Sequence, residues 1–316
     1  MLPRRGRLSA LWIWASGAIL RPGAATGDTV PKLLTPAQIR GFERDGFVAP
    51  IRVIAAERAR YYRERLEAFE AAYPADRLKL DQKAHMICPW VDEMIREPAI
   101  LDATQDLIGP DILCWGTSLR AKEPDGRTFA GWHQDTAYAD VKPIVVIVAL
   151  ALSPARPENG CIRAVPGSHR GKLLPHKEAF ATDSLLSREQ YIDAPIEEAA
   201  SVDLALDPGE IALFNNAIIH SSKPNFGADR RILFLLEMVP TRAYQESPRE
   251  SAALVRGEDA FGHFDVDPRP RVEMGAEELA AWRRAVEIQA SVLFRGAQRP
   301  PRALRGMTSG RAPGGT

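Results

Sequence analysis

The sequence predicts a mainly β protein with flanking helices, a double-sheet core buttressed by helical segments. Three observations lead there. Helical periodicity ends near Ile108; from Ile112 short apolar runs alternate with turn residues; and one more helical pattern closes the chain. At 316 residues the chain is long enough to bury a large core.

The first thirty residues read as a leader. Arg4, Arg5 and Arg7 precede the apolar run Leu8–Ala15, and small residues follow at Ala24 and Ala25. That order fits a secretory signal or a loosely ordered leader ahead of a cytoplasmic domain. The run is too short, and too broken by Ser9, Ser16 and Gly17, for a membrane span. A single domain is expected over 31–295, with its core at 112–240. An Arg-, Pro- and Gly-rich tail is expected to be disordered over 296–316.

Thr35-Pro36-Ala37-Gln38 is a capping box with proline at the first helical position. Ile39, Phe42 and Phe47 supply the apolar face of this helix, and Gly46 ends it. A second helix is expected over Ala55–Ala72, with Tyr62, Leu66 and Phe69 on one side. A third is expected over Val91–Ile108, stopped by Gly109-Pro110. Strands are expected at Ile112–Ala121, Thr128–His133, Ile144–Leu152, Cys161–Val165, Ala200–Leu204, Ile211–Asn215 and Ile232–Val239. Glu158-Asn159-Gly160 suits a tight hairpin, and Asp207-Pro208-Gly209-Glu210 suits a turn into the following strand. A closing helix is expected over Ala276–Phe294.

Composition excludes several functions. Lys+Arg and Asp+Glu both number 41, so the formal charge is zero. Such a chain does not coat nucleic acid or membrane by bulk charge. The three cysteines, Cys88, Cys114 and Cys161, are too few and too far apart for a disulfide framework or a metal pair. A reducing, cytoplasmic setting is expected. The expected partner is a small-molecule substrate; the oligomeric state is not legible.

Only six histidines are present, and two sit where a metal site needs them. His133-Gln134-Asp135 lies at the end of an expected strand, where positions two apart share a face. His220 closes the apolar run beginning at Ile211. Two imidazoles and a carboxylate on one side of an ion leave the other side open, as non-haem Fe(II) requires. The competing reading is two histidines hydrogen-bonded within the core. Arg230 and Arg231 follow His220 by ten and eleven positions. One of them is placed to bind a carboxylate bidentately.

The chain resembles the phytanoyl-CoA dioxygenase family of Fe(II)/2-oxoglutarate-dependent oxygenases. The resembling stretches are Gly131-Trp132-His133-Gln134-Asp135-Thr136-Ala137-Tyr138, Pro157-Glu158-Asn159-Gly160-Cys161 and Pro166-Gly167-Ser168-His169. They continue with Asp207-Pro208-Gly209-Glu210 and His220-Ser221-Ser222-Lys223-Pro224-Asn225, and end in Arg231. The resemblance covers about Thr35 to Pro240. It implies a double-stranded β-helix, or jelly-roll, core with iron at its open end. It implies His133, Asp135 and His220 as iron ligands and O₂ and 2-oxoglutarate as co-substrates. Arg231 then anchors the far carboxylate of 2-oxoglutarate, supported by Ser222, with Asn225 close by. Lys83 or His85 falls where some members reach the co-substrate.

One departure is Ala149, where members often carry tryptophan. The carboxylate of Asp135 favours hydroxylation over halogenation, since related halogenases have a small residue there. His169 is expected to tie down its turn. Substrate contacts are expected among Tyr138, Arg120, Lys122 and Arg163, the last of which must meet a carboxylate of the protein or of the substrate. A small or medium organic substrate is favoured over an acyl-CoA. The alternatives are a catalytically silent jelly-roll binding protein and a cupin-like metalloenzyme without 2-oxoglutarate.

Overall fold

The computed structural model describes residues 30–139, 141–179, 183–245 and 248–297. The expected leader and tail fall almost wholly outside the described residues.

The capping box at Thr35 forms as expected. The Gln38 backbone N–H donates to Thr35 Oγ1 (3.2 Å), and the Thr35 N–H donates to Gln38 Oε1 (2.8 Å). Helix α1 spans Pro36–Asp45 and ends on Gly46, whose φ of 85° places it in the left-handed region. Phe47 is not on the helix. It opens strand β1, Phe47–Arg52, because the left-handed glycine turns the chain away. Helix α2 covers Ala56–Ala72 and buries Tyr62, Leu66 and Phe69.

The single helix expected over Val91–Ile108 is two, α3 at Pro89–Met94 and α4 at Pro98–Ile108. Pro98 is the reason. Its ring removes a backbone donor and disfavours helical geometry in the residue before it. Glu97 accordingly sits at ψ 121°, outside the helical region.

The strands that follow are β2 (Ile112–Lys122), β3 (Ala130–His133), β4 (Val146–Ala151), β5 (Ile162–Ala164), β6 (His176–Glu178), β7 (Gln190–Ile192) and β8 (Val202–Leu204). Next come β9 (Glu210–Asn215), β10 (His220–Ser222), β11 (Arg231–Pro240), β12 (Ser251–Arg256) and β13 (Asp265–Val266). Helix α5, Ala276–Leu293, closes the described chain as expected. A seven-stranded sheet runs β1-β9-β4-β11-β2-β12-β13, and a four-stranded sheet runs β3-β10-β5-β8. Strands β6 and β7 pair separately.

The two faces of the large sheet explain its sequence. Val146, Val148 and Leu150 of β4 pack with Ile232, Phe234 and Leu236 of β11 against the helices. The alternate residues Ile147, Ala149, Ala151 and Leu233 pack toward the small sheet. Both faces are covered, so the strands read as unbroken apolar runs rather than as alternation. Ala149 lies in that inner layer and is fully buried.

Glu158-Asn159-Gly160 is not a tight hairpin. The strands it joins, β4 and β5, belong to different sheets, and a short 3₁₀ turn at Pro157–Asn159 carries the chain across. Gly160 is needed there, with φ of 77° and no room for a Cβ against the Lys223 carbonyl. Strands β1, β6, β7, β10, β12 and β13 carry no strong apolar alternation and lie outside the expected set.

Candidate metal centre and cavity

Strands β3 and β10 pair antiparallel with His133 directly opposite His220. Cross-strand partners on one face bring their side chains into contact. The two imidazole centroids stand 4.0 Å apart, so residues remote in sequence become neighbours through register. Asp135 is not on the strand, as the two-residue spacing had suggested. Strand β3 stops at His133, and Asp135 opens a 3₁₀ turn at Asp135–Ala137. The turn still returns the carboxylate to the imidazoles. His133 Nε2 lies 3.3 Å from Asp135 Oδ1, and His220 Nε2 lies 3.8 Å from Oδ2. One ligand atom from each residue falls within 4.8 Å of the others.

Gln134 faces away and locks the turn. Its amide donates to the Ala217 carbonyl (2.9 Å) and accepts the Leu174 N–H (2.9 Å). Each site histidine donates from Nδ1 to a carbonyl two residues earlier, His133 to Gly131 (2.8 Å) and His220 to Ile218 (3.0 Å). Those bonds leave both Nε2 lone pairs directed at Asp135, the tautomer that a metal ligand needs. Burial and the neighbouring His133 hold His220 down to about 4, so it is neutral at physiological pH. Burial acts to raise the Asp135 carboxyl, but the two imidazoles and Arg120 hold it at about 2. Two imidazoles with Nε2 turned toward an ionised carboxylate are a donor set that fits a divalent metal.

The triple opens on a cavity of about 510 Å³. Alternation along β11 sorts the two arginines. Ile232 faces the helices, so Arg231 faces the cavity. Arg230, on the other side, pairs with Glu70 of α2 (2.8 Å) and with Glu123 (2.8 Å). Arg231 is 1% exposed. Its Nη1 donates to the Arg120 carbonyl (3.0 Å), and its Nε has no partner. Lys122 of β2 is its register partner. Lys122 donates to Ser222 Oγ (2.8 Å) and to the Lys223 carbonyl. Burial, then the charge of Arg231, push the Lys122 ammonium down to about 6, and burial lowers Arg231 to about 9. Neither cation has an acidic partner among the described residues. Asn225 braces this end by donating to the carbonyls of Lys122 and Asp229.

The other expected contacts divide. Arg120 and Tyr138 line the cavity. The Arg188 guanidinium stands 3.7 Å from the centroid of the Tyr138 ring and pairs with Glu178. Arg163 does not reach the cavity. It bonds Ser201 (2.9 Å), lies near Glu198 and Asp203, and stacks on Trp132. Lys83 is also elsewhere. Its ammonium donates to the carbonyls of Trp115 and Ser251 and to Asp267, all at 2.7–2.9 Å, so none of its three donors is free for a co-substrate. His85 joins the same cluster through Asp267 (2.9 Å). His169 lies against Gly46 and its Nε2 meets the Glu43 carbonyl (3.3 Å), which fits a turn-fixing role. Glu237 and Gln289 also line the cavity. They went unnoticed in the sequence, although the single acidic residue in the run Ile232–Val239 was a visible signal.

A two-sheet β core with a His-Asp-His cluster at the mouth of a cavity lined by a buried arginine defines a class of non-haem metal oxygenase folds. The phytanoyl-CoA dioxygenase (PhyH) family model matches residues 42–233, and the chain belongs to that family. A probable alpha-ketoglutarate-dependent hypophosphite dioxygenase of Stutzerimonas stutzeri is 25% identical over 162 residues, 50% of this chain and 56% of that one. The peroxisomal phytanoyl-CoA dioxygenase of Homo sapiens is 29% identical over 133 residues, 40% of this chain and 39% of that one. The match thus spans about half the length of these curated relatives. Among solved structures, the apo form of the non-heme monooxygenase ThoJ superposes with a TM-score of 0.75 at 29% identity, covering 83% of this chain and 99% of that one.

Proposed function

We propose that this chain is an Fe(II)- and 2-oxoglutarate-dependent dioxygenase that hydroxylates a small or medium organic substrate at an unactivated carbon. One observation carries the reading: the His133–Asp135–His220 cluster shares a cavity with Arg231, a buried cation that has no acidic partner among the described residues and lies beside Lys122, its register partner. Unpaired buried charges are costly, so this end of the cavity is built for an anion.

His133, Asp135 and His220 would hold the iron. When bound, it supplies the oxygen chemistry that joins C–H hydroxylation to conversion of 2-oxoglutarate and O₂ into succinate and CO₂. The chain supplies geometry. Arg231 and Lys122, with Ser222, grip the distal carboxylate of the co-substrate. Their fixed positions orient its keto acid end toward the ligand cluster. Phe214, Leu233 and Leu235 give the cavity apolar walls that exclude water. A cavity of about 510 Å³, part of it reserved for 2-oxoglutarate, suits a compact substrate better than an acyl-CoA.

No helix among the described residues is long and apolar enough to cross a membrane. All three cysteines are free and buried, which supports a cytoplasmic setting. The test is succinate release from 2-oxoglutarate with Fe(II) and ascorbate, abolished by a chelator. A substrate is then identified as a compound that gains the mass of one oxygen. Absence of turnover, together with absence of a visible charge-transfer band on anaerobic mixing with Fe(II) and 2-oxoglutarate, would favour a binding-only protein.

A further inference from the structure

The same strand that carries Arg231 places a second charged group in the cavity. Residues 231, 233, 235 and 237 of β11 alternate inward. Six residues of strand set Arg231 and Glu237 about 20 Å apart. The cavity therefore runs from a cationic end, through the apolar Leu233 and Leu235, to a carboxylate.

Glu237 has features that a structural carboxylate lacks. No donor or cation pairs with it among the described residues; the charges that influence it, Asp135, Arg120, Lys83 and Glu250, act only at a distance. Lys83 is bound to Asp267, and Glu250 takes hydrogen bonds from Trp115 and Gln245. Burial raises the Glu237 carboxyl to about 7, and nearby Asp135 adds to the rise. Space is reserved for it as well. It crosses its register partner Gly116, where a Cβ would collide with the carboxyl oxygen. Gln289 of α5 stands over the same glycine. A bare carboxylate in an apolar setting is unfavourable unless something of opposite charge arrives.

We propose that Glu237 is the substrate-recognition carboxylate of this cavity, and that the substrate carries a positively charged nitrogen at the end of an apolar body. This rests on the oxygenase reading, since it assigns the cationic end to 2-oxoglutarate and leaves the Leu235–Glu237 half for the substrate. The cationic nitrogen meets Glu237, the hydrocarbon lies along Leu235, Ile147 and Leu293, and the carbon to be oxidised faces the ligand cluster.

The experiment compares compounds of one shape and different charge. Butylamine, hexylamine and phenethylamine are titrated against the matching alcohols and carboxylates by calorimetry at pH 8. The protein is loaded anaerobically with Fe(II) and 2-oxoglutarate, so binding is read rather than turnover. At least one amine is expected to bind about tenfold or more tighter than its alcohol, about 1.4 kcal/mol, with the carboxylate weakest. Glu237→Gln is expected to bring that ratio near one, and Glu237→Asp to keep part of it. Equal affinity for amine and alcohol throughout the series, no amine binding at all, or a preference that survives in Glu237→Gln would overturn the assignment. The iron–2-oxoglutarate charge-transfer band in the same sample separates the two ideas. Its absence defeats the oxygenase reading, whereas its presence without amine preference defeats only the role of Glu237.

Discussion

Replacing Arg231 by alanine tests how the cavity holds its co-substrate. A hydrogen bond to a charged group contributes about 1.5–3 kcal/mol, so two from one guanidinium fork would contribute about 3–6 kcal/mol. The structure argues for the lower end. Lys122 is the register partner of Arg231 and donates to Ser222, which lines the cavity with Arg231. Its ammonium is depressed by burial and secondly by the charge of Arg231. Removing Arg231 relieves that second effect, so Lys122 gains charge and keeps part of the grip. The expected loss is about 3 kcal/mol, roughly two powers of ten in Kd. Arg230→Ala should leave that Kd unchanged, because Arg230 is spent on Glu70 and Glu123. Its effect should be about 1 kcal/mol of stability or less. The assay is anaerobic titration of 2-oxoglutarate into the Fe(II) protein, followed by charge-transfer absorbance. If Arg230→Ala weakens binding and Arg231→Ala does not, the inward register of β11 is wrong and so is the site built on it.

Further outcomes follow from the same geometry. His133→Ala, Asp135→Asn and His220→Ala should each lose bound iron, read by elemental analysis, and all turnover, while melting as cooperatively as the parent; full activity in any of the three would remove the cluster from the mechanism. Lys122 begins near 6, and a dicarboxylate favours its charged form. Binding above that pH must therefore take up a proton, and affinity for 2-oxoglutarate should fall as pH rises from 6 to 9. Calorimetry in buffers of different ionisation enthalpy measures this uptake, and a flat profile with no uptake would exclude Lys122. Asp267 holds Lys83 and His85 in a fully buried cluster, and these partners keep its carboxyl well below the usual range against the opposing effect of burial. Asp267→Asn should lower stability by about 3–5 kcal/mol. In the parent the stabilisation is present at neutral pH and lost as pH falls below about 4, where the unfolded carboxylate protonates. Denaturant melts across that range check the sign.

Local chemistry and tertiary context each decided part of this molecule. The sequence alone determined elements with strong local signals. The Thr35 capping box, the run at Val146–Ala151 and the closing helix at Ala276–Leu293 all form as their residues dictate, because caps and apolar runs act over a few positions. It also singled out His133, Asp135, His220 and Arg231 as a set through motif order. What it could not decide was anything fixed by partners distant in the chain. Lys83 and Lys122 look alike in sequence, yet one is taken by Asp267 and the other lies beside Arg231 and donates to Ser222. Arg163 looks like a substrate contact until Asp203 and Glu198 fold beside it. Glu237 is visible in the sequence as the lone acid of an apolar run, yet its place in the cavity appears only once β11 lies against Gly116. In each case the fate of a charge depends on which strand comes to lie beside it, and strand pairing is set by packing across the whole core rather than by neighbours along the chain.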